Sequence, residues 1–131
     1  MISRDLAERL RAAGVDWHPQ PGDRFMIPAA DLADDVFVIS DMTIETQRVP
    51  GGFIIKFNGT TEWALDSIDA AKVIWLPRED QLRALVGPRF VRLEAIDGGF
   101  AVVLDDGRRL VDLDPERAYA RAALAVRDEP A

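Results

Sequence analysis

The chain of 131 residues has no cysteine and only one histidine, His18. Without thiols there can be no disulfide, thiolate metal site, iron–sulfur cluster or cysteine nucleophile. A single imidazole leaves one side chain suited to near-neutral acid–base work or to imidazole ligation. Neither G-x-G-x-x-G nor G-x-x-x-x-G-K-[ST] occurs, so dinucleotide and P-loop chemistry lack their phosphate cradle. No apolar run approaches the roughly 20 residues of a membrane span. Met1-Ile2-Ser3-Arg4-Asp5 likewise lacks the apolar core of a signal peptide. Asn58-Gly59-Thr60 fits the glycosylation pattern, but with no secretory route in view it reads as accidental. These absences together point to a cytoplasmic protein with no cofactor and no membrane insertion.

What remains is an ordinary globular composition, 48% hydrophobic and 30% charged, at a length expected to fold as a single domain over 1–131. The net charge is −7. Residues 1–60 carry 6 basic and 9 acidic groups, and residues 61–131 carry 10 and 14, so neither half is basic. Arg108-Arg109, the nearest thing to a basic patch, follows Asp105-Asp106. A nucleic-acid groove needs clustered cations to displace counterions, so no nucleic-acid partner is expected.

The pattern along the chain predicts mainly antiparallel sheet with helices at the N-terminus, centre and C-terminus, an α+β fold. Ser3 caps a first helix bearing Leu6, Leu10 and Ala13 and stopped by Gly14. His18-Pro19-Gln20-Pro21-Gly22 is a loop by its prolines. Strands are expected at Arg24–Ile27, at Val36–Ile39 continuing to Ile44, and at Phe53–Phe57 after a Pro50-Gly51-Gly52 turn. Asn58-Gly59 signals a hairpin that returns Thr60–Leu65 antiparallel, with a helix capped by Thr61 as the competing reading. Lys72–Leu76 is a buried strand, and Pro77 opens a helix carrying Leu82, Leu85 and Val86 that ends at Gly87-Pro88. Strands at Phe90–Ile96, Phe100–Leu104 and Arg108–Leu113 form a meander. Asp114-Pro115-Glu116 then starts a last helix whose buried stripe is Tyr119, Ala122, Ala123 and Val126.

Three places could carry chemistry. His18 with Ser40 and Asp41 would be a nucleophile set, but no G-x-S-x-G turn presents the serine, and a surface or capping histidine is the preferred reading. From Phe25 to Gln47 there is no basic residue, while Asp31, Asp34, Asp35, Asp41 and Glu45 add five negative charges. Their spacing does not follow an EF-hand loop, so a solvated acidic face is preferred over a cation site or a surface for a basic partner. The third place is Phe57 to Ser67, followed by Trp75 to Gln81. Here Asn58, Glu62, Trp63, Asp66, Trp75 and Arg78 combine stacking area with hydrogen-bonding groups, the makeup of a recognition surface. The same residues also fit an internal scaffold, with indoles in the core and Arg78 paired to Asp66 or Glu62.

Gly22-Asp23-Arg24-Phe25, Phe57 through Ser67 and Trp75 through Leu82 resemble a group of short bacterial proteins of unassigned function. The resemblance covers most of the chain up to the central helix. Some members carry a pilus-assembly label that usually denotes a P-loop ATPase-like protein. The Gly-rich loop and its Lys are missing here, so that label is not carried over, and the resemblance supplies no catalytic residues.

The reading favoured by the sequence is a non-enzymatic cytoplasmic interaction or accessory protein with an acidic, Trp-bearing surface and an unidentified protein partner. Two alternatives stay open. One is a small carboxylate-based or metal-assisted enzyme using Asp34, Asp35 or Glu62, and the other is a small-ligand module around Trp63 and Trp75. Oligomeric state is left open.

Overall fold

A computed structural model describes residues 1–28, 35–39, 44–49, 52–57, 67–69 and 73–129, with backbone alone for 44–49, 52–57 and 67–69. The elements run α1 (Arg4–Ala12), β1 (Arg24–Met26), β2 (Val36–Val38), β3 (Ile44–Val49), β4 (Gly52–Phe57), β5 (Ser67–Asp69), β6 (Ile74–Leu76), α2 (Glu79–Val86), β7 (Phe90–Ile96), β8 (Gly99–Leu104), β9 (Arg109–Asp112) and α3 (Pro115–Arg127). The strands form three antiparallel sheets, ordered β2-β1-β6, β3-β4-β5 and β7-β8-β9. The chain is thus mixed α+β, with helices at its N-terminus, centre and C-terminus. No helix among the described residues is long and apolar enough to cross a membrane. Contacts group the chain into two compact units, Met1–Asp16 with Pro77–Ala131, and Trp17–Leu76.

In the first unit, the Ser3 hydroxyl accepts the Leu6 N–H at 3.2 Å and starts α1, whose Leu6, Ala7 and Leu10 are buried. The central helix begins later than the proline suggested. Arg78, not Pro77, is the N-cap of α2, and its N–H donates to the Gln81 side chain at 2.9 Å, half of a capping box. Leu82 and Val86 form the buried stripe of α2, and Leu85 is half-buried.

The meander lies where the turn residues put it. Ile96 pairs with Gly99 across Asp97-Gly98, and the Leu104 N–H donates to the Arg108 carbonyl at 2.9 Å across Asp105-Asp106-Gly107. Gly107, at φ 89°, takes the left-handed position that such a three-residue hairpin loop requires. Asp114 caps α3 by accepting the Arg117 N–H at 3.0 Å, with Pro115 in the first turn.

The last helix is buried more widely than the expected stripe. Tyr119, Ala122 and Ala123 are buried and Val126 is half-buried, but Ala118, Ala120 and Leu124 are buried as well. The cause is that α3 touches β8 and β9 and also α1 and α2. Alanine on several faces lets all these neighbours approach. Across the strands, Glu94 is bridged to Arg92 on its own strand and to Arg109 of β9 at 2.7 Å, beside the buried Ala101 and Val103 of β8 between them.

In the second unit, the expected strand running from Val36 to Ile44 is not one strand. β2 ends at Val38, and a separate strand, β3, starts at Ile44. β3 was not foreseen because its Glu45, Thr46, Gln47 and Arg48 carry no apolar alternation. Pairing specifies it instead: Ile44 to Val49 lie opposite Phe57 to Gly52, which sets Glu45 across from Lys56. β5 pairs with the other edge of β4, with Ile68 opposite Ile55. The Asn58-Gly59 turn, its Thr60–Leu65 return and the competing helix lie outside the described residues.

Candidate functional site

Within the Trp17–Leu76 unit, register builds one aromatic row. Phe37 of β2 and Trp75 of β6 both pair with Phe25 of β1, so three aromatic residues lie side by side across the sheet. The Phe25 and Phe37 rings stack at 5.5 Å. Trp17 lies against the row from the preceding loop, nearly parallel to Trp75 (centroids 6.4 Å, 10°) and tilted against Phe25 at 5.8 Å. Phe25 is buried, while Trp17, Phe37 and Trp75 are half-buried.

Asp23 holds Trp17 in place. Only 1% exposed, it is the one buried charged residue among those described. Its Oδ2 accepts the Trp17 indole N–H at 2.9 Å and the Gln20 N–H at 3.1 Å. The Asp23 N–H in turn donates to the Gln20 carbonyl at 3.1 Å, closing the proline loop on itself. A buried carboxylate is tolerated when its lone pairs are filled by donors in this way. The Trp75 indole N–H, by contrast, is buried with no acceptor among the described residues.

Of the six residues singled out from sequence, Asn58, Glu62, Trp63 and Asp66 lie outside the described residues. Trp75 is in the aromatic row. Arg78 is the cap of α2, in the other unit, with its guanidinium Nε 3.2 Å from the Asp80 carboxylate. Trp17, Asp23, Phe25 and Phe37 were not anticipated as a group. A signal was available, since Trp17 and Asp23 flank a loop held short by Pro19 and Pro21. The matching of Phe25, Phe37 and Trp75 depends on register between strands far apart in sequence, and no local pattern reports that.

His18 is exposed, and Ser40 and Asp41 lie outside the described residues. Replacing His18 by Ala is therefore expected to change unfolding free energy by no more than about 0.5 kcal/mol, as at most surface positions. A denaturant titration checks this, and a larger loss would give the imidazole a structural role. Among the proposed carboxylate chemistry, Asp34 and Glu62 lie outside the described residues and Asp35 is exposed. Among the described residues no group of three or more His, Asp or Glu could hold a metal ion.

Polar clusters in the other unit tie elements together. Arg89 reaches Asp105 at 2.5 Å, Asp106 at 3.1 Å and Glu129, joining the start of β7 to the β8–β9 turn and the end of α3. Its guanidinium is held charged beyond its usual range, first by the hydrogen bond to Asp105 and then by that to Glu129. Asp112 pairs with Arg117 and Arg121, each at 2.8 Å. Burial pushes its carboxyl up, but the Arg121 hydrogen bond, the Asp114 N–H and the two guanidinium charges prevail and hold it below the usual range. Arg83 of α2 lies 4.5 Å over the Phe90 ring, which meets Tyr119 of α3 at 5.6 Å.

No known protein family, curated protein or solved structure matches the chain. The resemblance to short bacterial proteins rests on the quoted residues alone.

Proposed function

We propose that this chain is a non-enzymatic interaction or accessory protein, acting in the cytoplasm, whose Trp17–Leu76 unit binds a basic protein partner. The observation that carries the reading is the half-buried Trp17–Trp75 stack, a pair of indoles held in place by Asp23 and the sheet. Rigid aromatic area of this kind supplies most of the energy at protein interfaces, because little side-chain entropy is lost when a partner covers it. Charge supports the basic partner. The Trp17–Leu76 unit holds nine acidic residues against four basic ones (Arg24, Arg48, Lys56 and Lys72). Such an excess attracts cationic surfaces and repels acidic ones.

Affinity capture with wild-type and Trp75→Phe baits tests the reading. The wild type is expected to retain a defined basic protein. The variant keeps an aromatic ring in the row and should melt close to the wild type, but should hold that partner about tenfold less tightly, as for a trimmed hot-spot indole. Undiminished capture by Trp75→Phe, or capture only of acidic proteins, would count against it.

A further inference from the structure

We propose that β2 is a docking edge, to which an extended, basic segment of a partner protein adds as a fourth strand beside β2, on the side away from β1. This inference rests on the interaction reading above and names where and in what form the partner binds. It starts from which way the backbone of β2 points. The Ile39 N–H donates to the Asp23 carbonyl at 2.9 Å, and the Ile39 carbonyl accepts the Gly22 N–H at 2.7 Å. Ile39 thus turns its backbone groups toward β1, and by the alternation of an antiparallel ladder so does Phe37, opposite Phe25. Val36 and Val38 then turn theirs outward. In the sheet order β2-β1-β6 that outer edge has no strand partner among the described residues.

The side chains point the same way. Val36 is 38% exposed and Val38 60% exposed, both on the face opposite Phe37. An added strand would cover these valines while its backbone joined the outward groups, the usual mode of strand addition to a free edge. Natural edges are commonly guarded by lysine or proline against such pairing, and β2 carries neither.

Charge selects the occupant. β2 sits inside the stretch from Phe25 to Gln47 that contains five acids and no base, and Asp31, Asp34, Asp35 and Asp41 lie close to it in sequence. A second copy of this chain would bring the same acids to the same edge and be repelled. A strand bearing lysine or arginine would be drawn in.

The test uses the full chain and a synthetic peptide alternating valine and lysine, with a valine–glutamate peptide as control. Binding is read by tryptophan fluorescence and by amide hydrogen exchange. The valine–lysine peptide is expected to bind, to weaken as salt is added, and to slow exchange at the Val36 and Val38 amides. The control should bind at least about tenfold more weakly. Val38→Pro removes an outward donor without touching the β1 ladder, so it should keep the melting transition and weaken the valine–lysine peptide about tenfold or more. Should Val38→Pro fail to fold, Val38→Lys leaves the backbone intact and sets a cation on the edge, and the same loss is expected. Equal binding by the folded variants, protection at other amides, or no binding of the valine–lysine peptide would overturn the edge assignment. Concentration-dependent self-association abolished by Val38→Pro would overturn it in favour of a second copy. A partner captured from lysate equally by wild type and Val38→Pro but lost with Trp75→Phe would refute the edge and leave the interaction reading standing.

Discussion

Truncation after Asp114 should yield insoluble or molten protein. The removed segment contains α3, whose Ala118, Tyr119, Ala120, Ala122, Ala123 and Leu124 are all buried. Its loss would uncover α3-facing residues of β8 and β9 as well as the sides of α1 and α2 that it touches. Each large apolar side chain returned to water costs about 1.5–3 kcal/mol. Tyr119, Leu124 and the apolar residues they cover therefore account for most or all of the roughly 5–15 kcal/mol by which a domain is stable. The Asp112 pairs with Arg117 and Arg121, and the Glu129 pairs with Arg89 and Arg108, go with the helix. Strand signal by circular dichroism without a cooperative melt, together with dye binding to exposed apolar surface, is the expected outcome. A soluble truncation that melts cooperatively would show that α3 is an accessory to this unit and not its centre.

That helix was the most legible part of the chain because its signals are local. Asp114, Pro115 and Glu116 announce its start within three residues, and the glycine-bearing turns before it divide the meander into strands. Burial on several faces was less legible: alanine reads as helix former and as packing residue alike, and only the positions of α1 and α2 decide. The start of α2 slipped for a similar reason. Proline at a first helical position is a strong habit, yet Arg78 and Gln81 form the cap, leaving Pro77 buried just ahead of it.

The candidate site was legible only in part. Trp75 was singled out for its indole, and its half-buried position fits both a scaffold and a binding role. Its neighbours were hidden because they come from Trp17, Phe25 and Phe37, brought together by strand register and by one buried carboxylate. Asp23 drew no notice as a functional residue since an isolated Asp after Pro-Gly reads as a turn. Its identity matters once Trp17 is seen to need an acceptor. The acidic stretch was visible as charge, whereas its bearing on β2 appears only when the outward backbone groups of Val36 and Val38 are placed.

Gly99→Ala should destabilise the chain by about 3 kcal/mol, the upper part of the range for overpacking, and lower its melting temperature by about 10 °C. Asp97-Gly98-Gly99 reads as a turn in which two glycines share one job, but their jobs differ. Gly98 holds the left-handed backbone, φ 80°, with open space where a side chain would go. Gly99 already belongs to β8, and a Cβ there would lie 2.5 Å from the Asp112 carbonyl oxygen and 3.2 Å from the Leu113 Cα. Those are backbone atoms of the neighbouring chain segment and cannot rotate away, so β9 itself must move. Moving Asp112 also loosens its carboxylate from Arg117 and Arg121, which hold it below the usual range. Gly98→Ala, burdened only by the strained backbone, should cost about 1–2 kcal/mol. The ordering is checked by thermal melts of both variants and by the NMR titration of Asp112. In Gly99→Ala that titration should move up toward the ordinary carboxylate value, and in Gly98→Ala it should stay where it is. Because a depressed carboxyl stabilises above its unfolded value and loses that contribution as pH falls through the folded one, Gly99→Ala should also show a smaller Asp112 share of the acid-induced loss below about pH 4. Equal melting of the two variants would mean that the close approach of β9 to Gly99 is not a constraint on the fold.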